Sequence, residues 1–290
     1  MLETRGEKTF KVVNVVAIAI ISIIALYPFL YVFSASISSP NDVITGKVLL
    51  LPKNITFASY SHILSDKSLW IAYGNTIFYT VAGTAVNLLL TICGAYPLSK
   101  KRLRGRKFFT LLVTLTMWFN AGMIPFYLNL RGLHLLNTRT AIIIAFACSA
   151  FNVILLRTAF ENIPSEMEEA ATVDGANDLL ILTKVYLPLS KATLATIGLF
   201  YAVERWNGYF WAMIILKDES KIPLQVMLKK LIVDTSMGTD YSAGLNFAAK
   251  YSVETIIYAT IVISVIPILL AYPYIQKYFV KGVMVGAVKG

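Results

Sequence analysis

The chain has 290 residues, of which 57% are hydrophobic and only 14% charged, and its formal net charge is +10; its mean hydropathy is +0.67. Soluble domains run near roughly 45–50% apolar and about 25% charged, so both figures point to an integral membrane protein. In that setting the basic excess reads as membrane orientation rather than as a nucleic-acid partner, because Lys and Arg collect in cytoplasmic loops.

Spanning a bilayer takes about 20 apolar residues, and six runs meet or approach that length. They are Val12–Ser34, Ile71–Leu98, Phe108–Leu130, Thr140–Leu156 (extendable to Phe160), Ala192–Leu216 and Tyr251–Gln276. The first follows basic residues as a signal peptide would. It exceeds an ordinary signal core, and Tyr27, Pro28 and Phe29 stand where a small-residue cleavage site would lie, so it is expected to be retained. The second and third contain no Asp, Glu, Lys or Arg. Cys93 and Cys148 lie inside apolar runs without metal or disulfide spacing and are expected to be small core residues.

Six spans place both termini on one side. Residues 99–107 (SKKRLRGRK) hold six Lys and Arg, against two in the short connection 131–139, which makes 99–107 cytoplasmic. Both termini and the segment 157–191 then fall in the cytoplasm, while 35–70, 131–139 and 217–250 face outside. The organisation expected is a cytoplasmic N-terminus (1–11), one transmembrane domain (12–276) and a cytoplasmic tail (277–290). No internal repeat or low-complexity segment is seen.

Glu168 to Ser190 reads EEAATVDGANDLLILTKVYLPLS, an acidic, alanine-rich insert between two apolar runs. Ser165 with Glu168 has the spacing of a capping box, so a helix of about ten residues should start there and stop near Gly175. So short a helix needs a packing partner. Met167, Ala170, Ala171 and Asp174 share one face, with alanines permitting close approach. A second helix should run from Asp178 to just before Pro188.

Glu169-Ala170-Ala171, three residues, Gly175, nine residues, then Val185, Tyr186, Leu187-Pro188 resembles the cytoplasmic signature of ABC importer permeases, E-A-A, three residues, G, nine residues, I-x-L-P. Val185 for Ile is the one departure. Asn120-Ala-Gly-Met-Ile-Pro-Phe-Tyr127, Leu136-Asn137-Thr138, Trp206-Asn207 and the ending Gln276–Gly290 look like landmarks of the maltose-type sugar importers. Tyr27-Pro28-Phe29 suggests the oligosaccharide subgroup, in which two unlike permeases pair. The resemblance implies an all-α, six-helix type I permease fold in a bacterial cell membrane, with the insert as a coupling helix on a cytoplasmic ATPase. Glu168, Glu169, Ala170, Ala171, Asp174, Gly175, Leu187 and Pro188 would form that contact. It also implies a second, non-identical permease, two ATPase copies carrying ATP and Mg, and an external solute-binding protein facing 35–70 and 217–250, where Tyr60, Trp70, Met237 and Tyr241 lie. The chain has no G-x-x-x-x-G-K-[ST] loop, so no ATPase activity or cofactor of its own is expected.

Within the spans, Glu204 and Arg205 are the ionisable residues nearest mid-membrane, where a charge costs ~2.5–3.5 kcal/mol on insertion scales. Trp206, Asn207 and Tyr209 adjoin them, and aromatic faces with hydrogen-bonding groups suit sugar rings. Asn120, Tyr127 and Asn152 are further substrate-path candidates. The competing reading for all of them is interhelical hydrogen bonding. Arg205 also raises an anionic cargo, such as a uronate oligosaccharide. The basic tail (Lys277, Lys281, Lys289) could rest on anionic lipid or reach the ATPase. An ion-coupled transporter or channel would call for more intramembrane carboxylates, and an intramembrane enzyme for a metal or nucleophile set. His62 and His134 fall in external loops with no H-E-x-x-H, and only the permease reading accounts for the insert.

Overall fold

The computed structural model describes residues 5–236 and 252–287, and those residues hold helices and turns with no strand. In chain order the helices are α1 (Arg5–Ser36), α2 (Pro40–Ile44), α3 (Ala58–Ser65), α4 (Lys67–Ser99), α5 (Arg106–Trp118), α6 (Met123–Gly132), α7 (Arg139–Ile144), α8 (Ala150–Glu161) and α9 (Ser165–Val173). There follow α10 (Asp178–Ile181), a π-helical turn (Leu182–Tyr186), α11 (Leu187–Leu189), α12 (Lys191–Asn207), α13 (Phe210–Ile215), α14 (Leu224–Ser236) and α15 (Val253–Ala287). Met237, Tyr241 and Lys289 lie outside the described residues.

Three described helices are each long and apolar enough to cross a membrane: α1, α4 and α15. The remaining apolar runs are interrupted. The run 108–130 bends by 114° between α5 and α6, where Gly122 takes φ +81° and Asn120 Oδ1 accepts from the Gly122 N–H at 2.9 Å. The run 140–156 is divided into α7 and α8 at residues 145–149, a stretch with no Gly or Pro to announce it. The run 192–216 stops at Gly208, where a Cβ would stand 3.1 Å from the Glu204 carbonyl, and resumes as α13. An 83° bend at Ser190 separates the segment Asp178–Leu189 from α12. Helix α15 continues without interruption to Ala287 rather than ending at 276.

The chain forms two compact units. The first comprises residues 1–70 and 228–268. In it α1 is exposed from Gly6 to Leu30, while its last turn, Ser34, Ala35 and Ser36, is buried. The loop after α1 is ordered by Ser34 Oγ donating to the Leu50 carbonyl (2.6 Å), by Ser36 Oγ with Tyr60 Oη (2.8 Å) and by Ser59 Oγ donating to Thr255 Oγ1 (2.9 Å). Trp70 Nε1 donates to the Leu64 carbonyl. The expected external contacts Tyr60 and Trp70 are thus engaged within their own loop.

The second unit comprises 71–227 and 269–290 and has two cores. One gathers Tyr79, Leu130, Ala141, Ala212, Ile215 and Val226. Above it Asn137 (φ +58°) accepts from the Lys217 and Asp218 N–H groups and ties 131–139 to 217–221. The other core gathers Ala95, Tyr96, Leu156, Phe160, Ile181, Tyr186, Ile197 and Tyr201. Tyr96, Phe160 and Tyr186 meet edge to face with ring centroids 5.3–6.3 Å apart. Cys93 and Cys148 are free and exposed rather than core residues.

Phe160 is 1% exposed, and truncating a buried Phe costs about 3–5 kcal/mol through lost contact and cavity. Phe160→Ala is therefore expected to lower the melting temperature of the detergent-extracted protein by several degrees. An unchanged melting temperature would count against the aromatic core.

Candidate functional site

The candidate site is the segment 157–191 together with the basic loop 99–107, and both belong to the second unit. Helix α9 opens at Pro164, not at a capping box. Ser165 is already inside the first turn, and Pro164, the N-cap, makes no side-chain cap bond. Pro fits because its missing N–H coincides with donors that a helix start leaves unpaired anyway. Glu166 and Glu168 in the first turn complement the positive end of the helix dipole.

Its end is a Schellman motif. Asp174 is the C-cap, Gly175 follows at φ +81°, the Ala176 N–H bonds the Ala171 carbonyl (2.9 Å) and the Gly175 N–H the Thr172 carbonyl (3.0 Å). No neighbour crowds Gly175; the left-handed backbone alone selects glycine there. Asn177 then caps α10 by accepting from the Leu180 N–H at 2.9 Å. The second helix does not stop before Pro188. Pro188 has no N–H to give and its ring clashes with the carbonyl four residues back, and just before it the chain widens into a π turn, closed by the Leu187 N–H on the Leu182 carbonyl. Helical backbone thus continues to Leu189.

The basic loop grips this segment. Lys100 Nζ donates to Glu168 Oε2 at 2.7 Å, and Tyr186 Oη donates to the same oxygen at 2.6 Å. The ammonium also lies 3.7 Å from the Tyr186 ring centroid and 4.3 Å from that of Tyr96. Its side chain is 8% exposed, so it is a buried charge held by one carboxylate and two ring faces. Arg102 pairs with Asp178, and Arg106 with Glu161, which also receives Arg157 Nε at 2.8 Å. Burial raises the Glu168 carboxyl, but the bonds from Lys100 and Tyr186 outweigh it and hold the group below its usual 4.5. Lys100 also moves down, since burial between the rings outweighs what Glu168 returns to it. Tyr186 is pushed up by burial and by the Glu168 charge.

Among the expected contact residues, Glu168 therefore faces inward and is committed within the chain. Ala171 and Leu187 are half-buried against the aromatic core. Glu169, Ala170, Asp174, Gly175 and Pro188 are exposed. They share the surface with apolar side chains left in the open, above all Met167, Val173 (87% exposed) and Leu179 (69%). A cavity of about 920 Å³ runs between the two segments, lined by Lys100, Lys101, Arg102, Glu168, Glu169 and Tyr186 among others. Counting the charges of 99–107 shows their number, but which of them pair with 157–191 depends on folding, so Lys100, Arg102 and Tyr96 escape a reading of sequence alone.

The substrate-path candidates separate. Asn120 is exposed and spent on the turn at Gly122, and Tyr127 is half-buried on α6. Glu204, Asn207 and Tyr209 are exposed on the chain surface. Trp206 is 9% exposed, meets Tyr73 edge to face and has no partner for its indole N–H; Asn152 Oδ1 is likewise buried without one. Arg205 is turned inward, donating to Asn87 Oδ1 and to the Ile143 and Phe146 carbonyls, each at 3.0 Å, and to the Ile142 carbonyl.

Residues 91–285 match the family described as binding-protein-dependent transport system inner membrane component. The chain is 40% identical over 93% of its length to the polygalacturonan/rhamnogalacturonan transport system permease protein YtcP of Bacillus subtilis (strain 168), covering 94% of that protein. It is 36% identical over its full length to protein LplC of the same organism, covering 98% of it. Among solved structures, a chain of a bacterial ABC transporter involved in the import of the acidic polysaccharide alginate is 52% identical, with a TM-score of 0.89 over 96% of this chain and 99% of that one.

Because a depressed carboxyl stabilises fully above the ordinary glutamate range and loses its effect as pH falls through the lowered value, the Lys100–Glu168 contact should persist below pH 4.5. Amide exchange in residues 165–173, corrected for intrinsic rates, is expected to stay protected through that pH and to rise only in stronger acid. Glu168→Gln should exchange faster throughout; equal protection in variant and wild type would mean that the ion pair does not hold α9.

Proposed function

The chain belongs to the family of binding-protein-dependent transport system inner membrane components, and from that premise we propose that it is one permease of an importer for acidic oligosaccharides and that α9 is its coupling helix on a cytoplasmic ATPase. It is a membrane permease subunit of a sugar-importing ABC transporter, with ATP hydrolysis on a separate subunit.

The observation that carries the coupling role is the division of α9 into two faces. Glu168 and Ala171 fasten it to its own chain, while Glu169, Ala170, Val173 and Asp174 are left open beside Met167 and Leu179. A short helix anchored on one side and exposing small, acidic and apolar residues on the other fits a groove on a protein partner. In this reading 99–107, α9 and both termini are cytoplasmic, and the contacts between 99–107 and 157–191 support their lying on one side. The six spans are α1, α4, α5 with α6, α7 with α8, α12 with α13, and α15. A second, non-identical permease completes the path, two ATPase copies hold the ATP and Mg, and the binding protein meets the opposite side.

An acidic cargo is supported by the relatives, whose names specify polygalacturonan, rhamnogalacturonan and alginate. The unpartnered Trp206 N–H and Asn152 Oδ1, with Asn207 and Tyr209 nearby in sequence, remain the residues of this chain best suited to meet sugar hydroxyls.

Extraction of the tagged chain in mild detergent should bring down an ATPase and a second permease, and the reconstituted complex should import uronate oligosaccharides. Glu169→Lys and Gly175→Asp are expected to reach wild-type membrane levels yet lose ATPase from the purified complex and abolish uptake. Normal uptake by both variants would exclude the coupling role for α9.

A further inference from the structure

The fourth apolar run is broken at 145–149 without a glycine or proline, and side chains of α12 fill the break. In a continuous helix the carbonyls of Ile142, Ile143 and Phe146 would be met by the N–H groups at 146, 147 and 150. Here the Ala147 N–H turns back to the Ile144 carbonyl at 3.2 Å, and the Arg205 guanidinium donates to all three carbonyls. On the far side of the break the Ser149 N–H donates to Tyr201 Oη at 3.1 Å.

Tyr201 and Arg205 are four apart on α12 and so share a face. Each is braced from α4 by residues that are also four apart: Thr91 Oγ1 lies 2.7 Å from Tyr201 Oη, and Asn87 Oδ1 accepts from Arg205 Nη2 at 3.0 Å. One turn before Asn87, Gly83 makes room, since a Cβ there would stand 3.0 Å from Arg205 Nε. Interrupted backbone at membrane depth is tolerated only where protein or trapped water satisfies it. A guanidinium, with five donors in a rigid fork, is suited to several carbonyls at once.

We propose that Arg205 and Tyr201 are positioning residues that grip the α7–α8 break as a pivot, and that Arg205 does not read the charge of the cargo. Helix α8 runs from this pivot to Glu161 and leads through Pro164 into α9. On the reading that α9 takes up the motion of an ATPase, α8 is the lever between them, and the grip of α12 keeps α7 in place while α8 swings.

Cys148 sits in the break and is exposed, so its thiol can report on it in a Cys93→Ser background. The complete importer, in proteoliposomes with its binding protein, is labelled with a membrane-permeant maleimide in the resting state and again after ATP–vanadate trapping. The rate at Cys148 should differ between the two states. Arg205→Gln should label about tenfold faster in both states, as loss of a charged hydrogen-bond donor implies, and lose at least that factor in uptake per ATP hydrolysed. Arg205→Lys should lie between, and Tyr201→Phe should move both readouts in the same direction with the guanidinium intact. Loss of uptake by Arg205→Gln with Cys148 labelling still switching as in wild type would overturn the proposal and return Arg205 to the cargo. So would wild-type labelling that ignores nucleotide while the ATPase is bound and active. Failure to recover any ATPase would instead remove the coupling reading beneath it.

Discussion

Backbone amides and carbonyls cannot go unpaired in hydrocarbon, and the second unit of this chain is organised around the places where its helices nevertheless stop. At Gly122 an asparagine supplies the acceptor, and at 145–149 an arginine and a tyrosine from α12 supply donor and acceptor. Each repair draws on a polar side chain, which accounts for Asn120, Tyr201 and Arg205 in otherwise apolar runs. Asn87, Thr91, Tyr201 and Arg205 read as a polar seam between α4 and α12, and the seam serves the segment 142–149 that neither helix contains.

The same logic operates at the end where α9 emerges, with ion pairs in place of backbone repair. Two adjacent glutamates differ in exposure. Glu168 is drawn under Tyr186 onto Lys100, and Glu169 is left on the surface. A nine-residue helix cannot hold itself together in water, so without the inward contact its outward face would have no fixed presentation. The Schellman end at Gly175 fixes the second boundary, and between the two anchors the open face is presented as a rigid unit. If α9 takes the coupling role proposed for it, that rigidity matters, because motion applied to a loose segment is dissipated there.

Much of this was legible in the amino-acid sequence. Apolar run length identified the membrane class, the E-A-A to L-P spacing located α9, and Gly175 was assignable as a left-handed position since the residue type and its place after an alanine-rich turn agree. What was not legible has a common cause. The division of α7 from α8 follows from donors more than 50 residues away, and no local breaker marks it. Ser165 and Glu168 have the spacing of a capping box, but tertiary competition won: Lys100 and Tyr186 offered Glu168 a charged, partly buried contact that the first-turn amides could not match. Arg205 stands out in the sequence as costly, yet cost alone does not distinguish a cargo contact from a structural one.

That last distinction follows from counting donors. A guanidinium facing an anionic sugar would keep a forked edge free for a carboxylate, since bidentate pairing is what makes arginine the preferred partner of such groups. In this conformation both terminal nitrogens of Arg205 are occupied by acceptors of the chain itself. Freeing them for cargo would take away the donors that three carbonyls of the α7–α8 break now meet. The unpartnered Trp206 N–H, one residue on, carries no such obligation. A neutral N–H donates to a hydroxyl or a carboxylate oxygen alike, so of these two neighbouring side chains it is Trp206, not Arg205, that has a donor uncommitted within the chain.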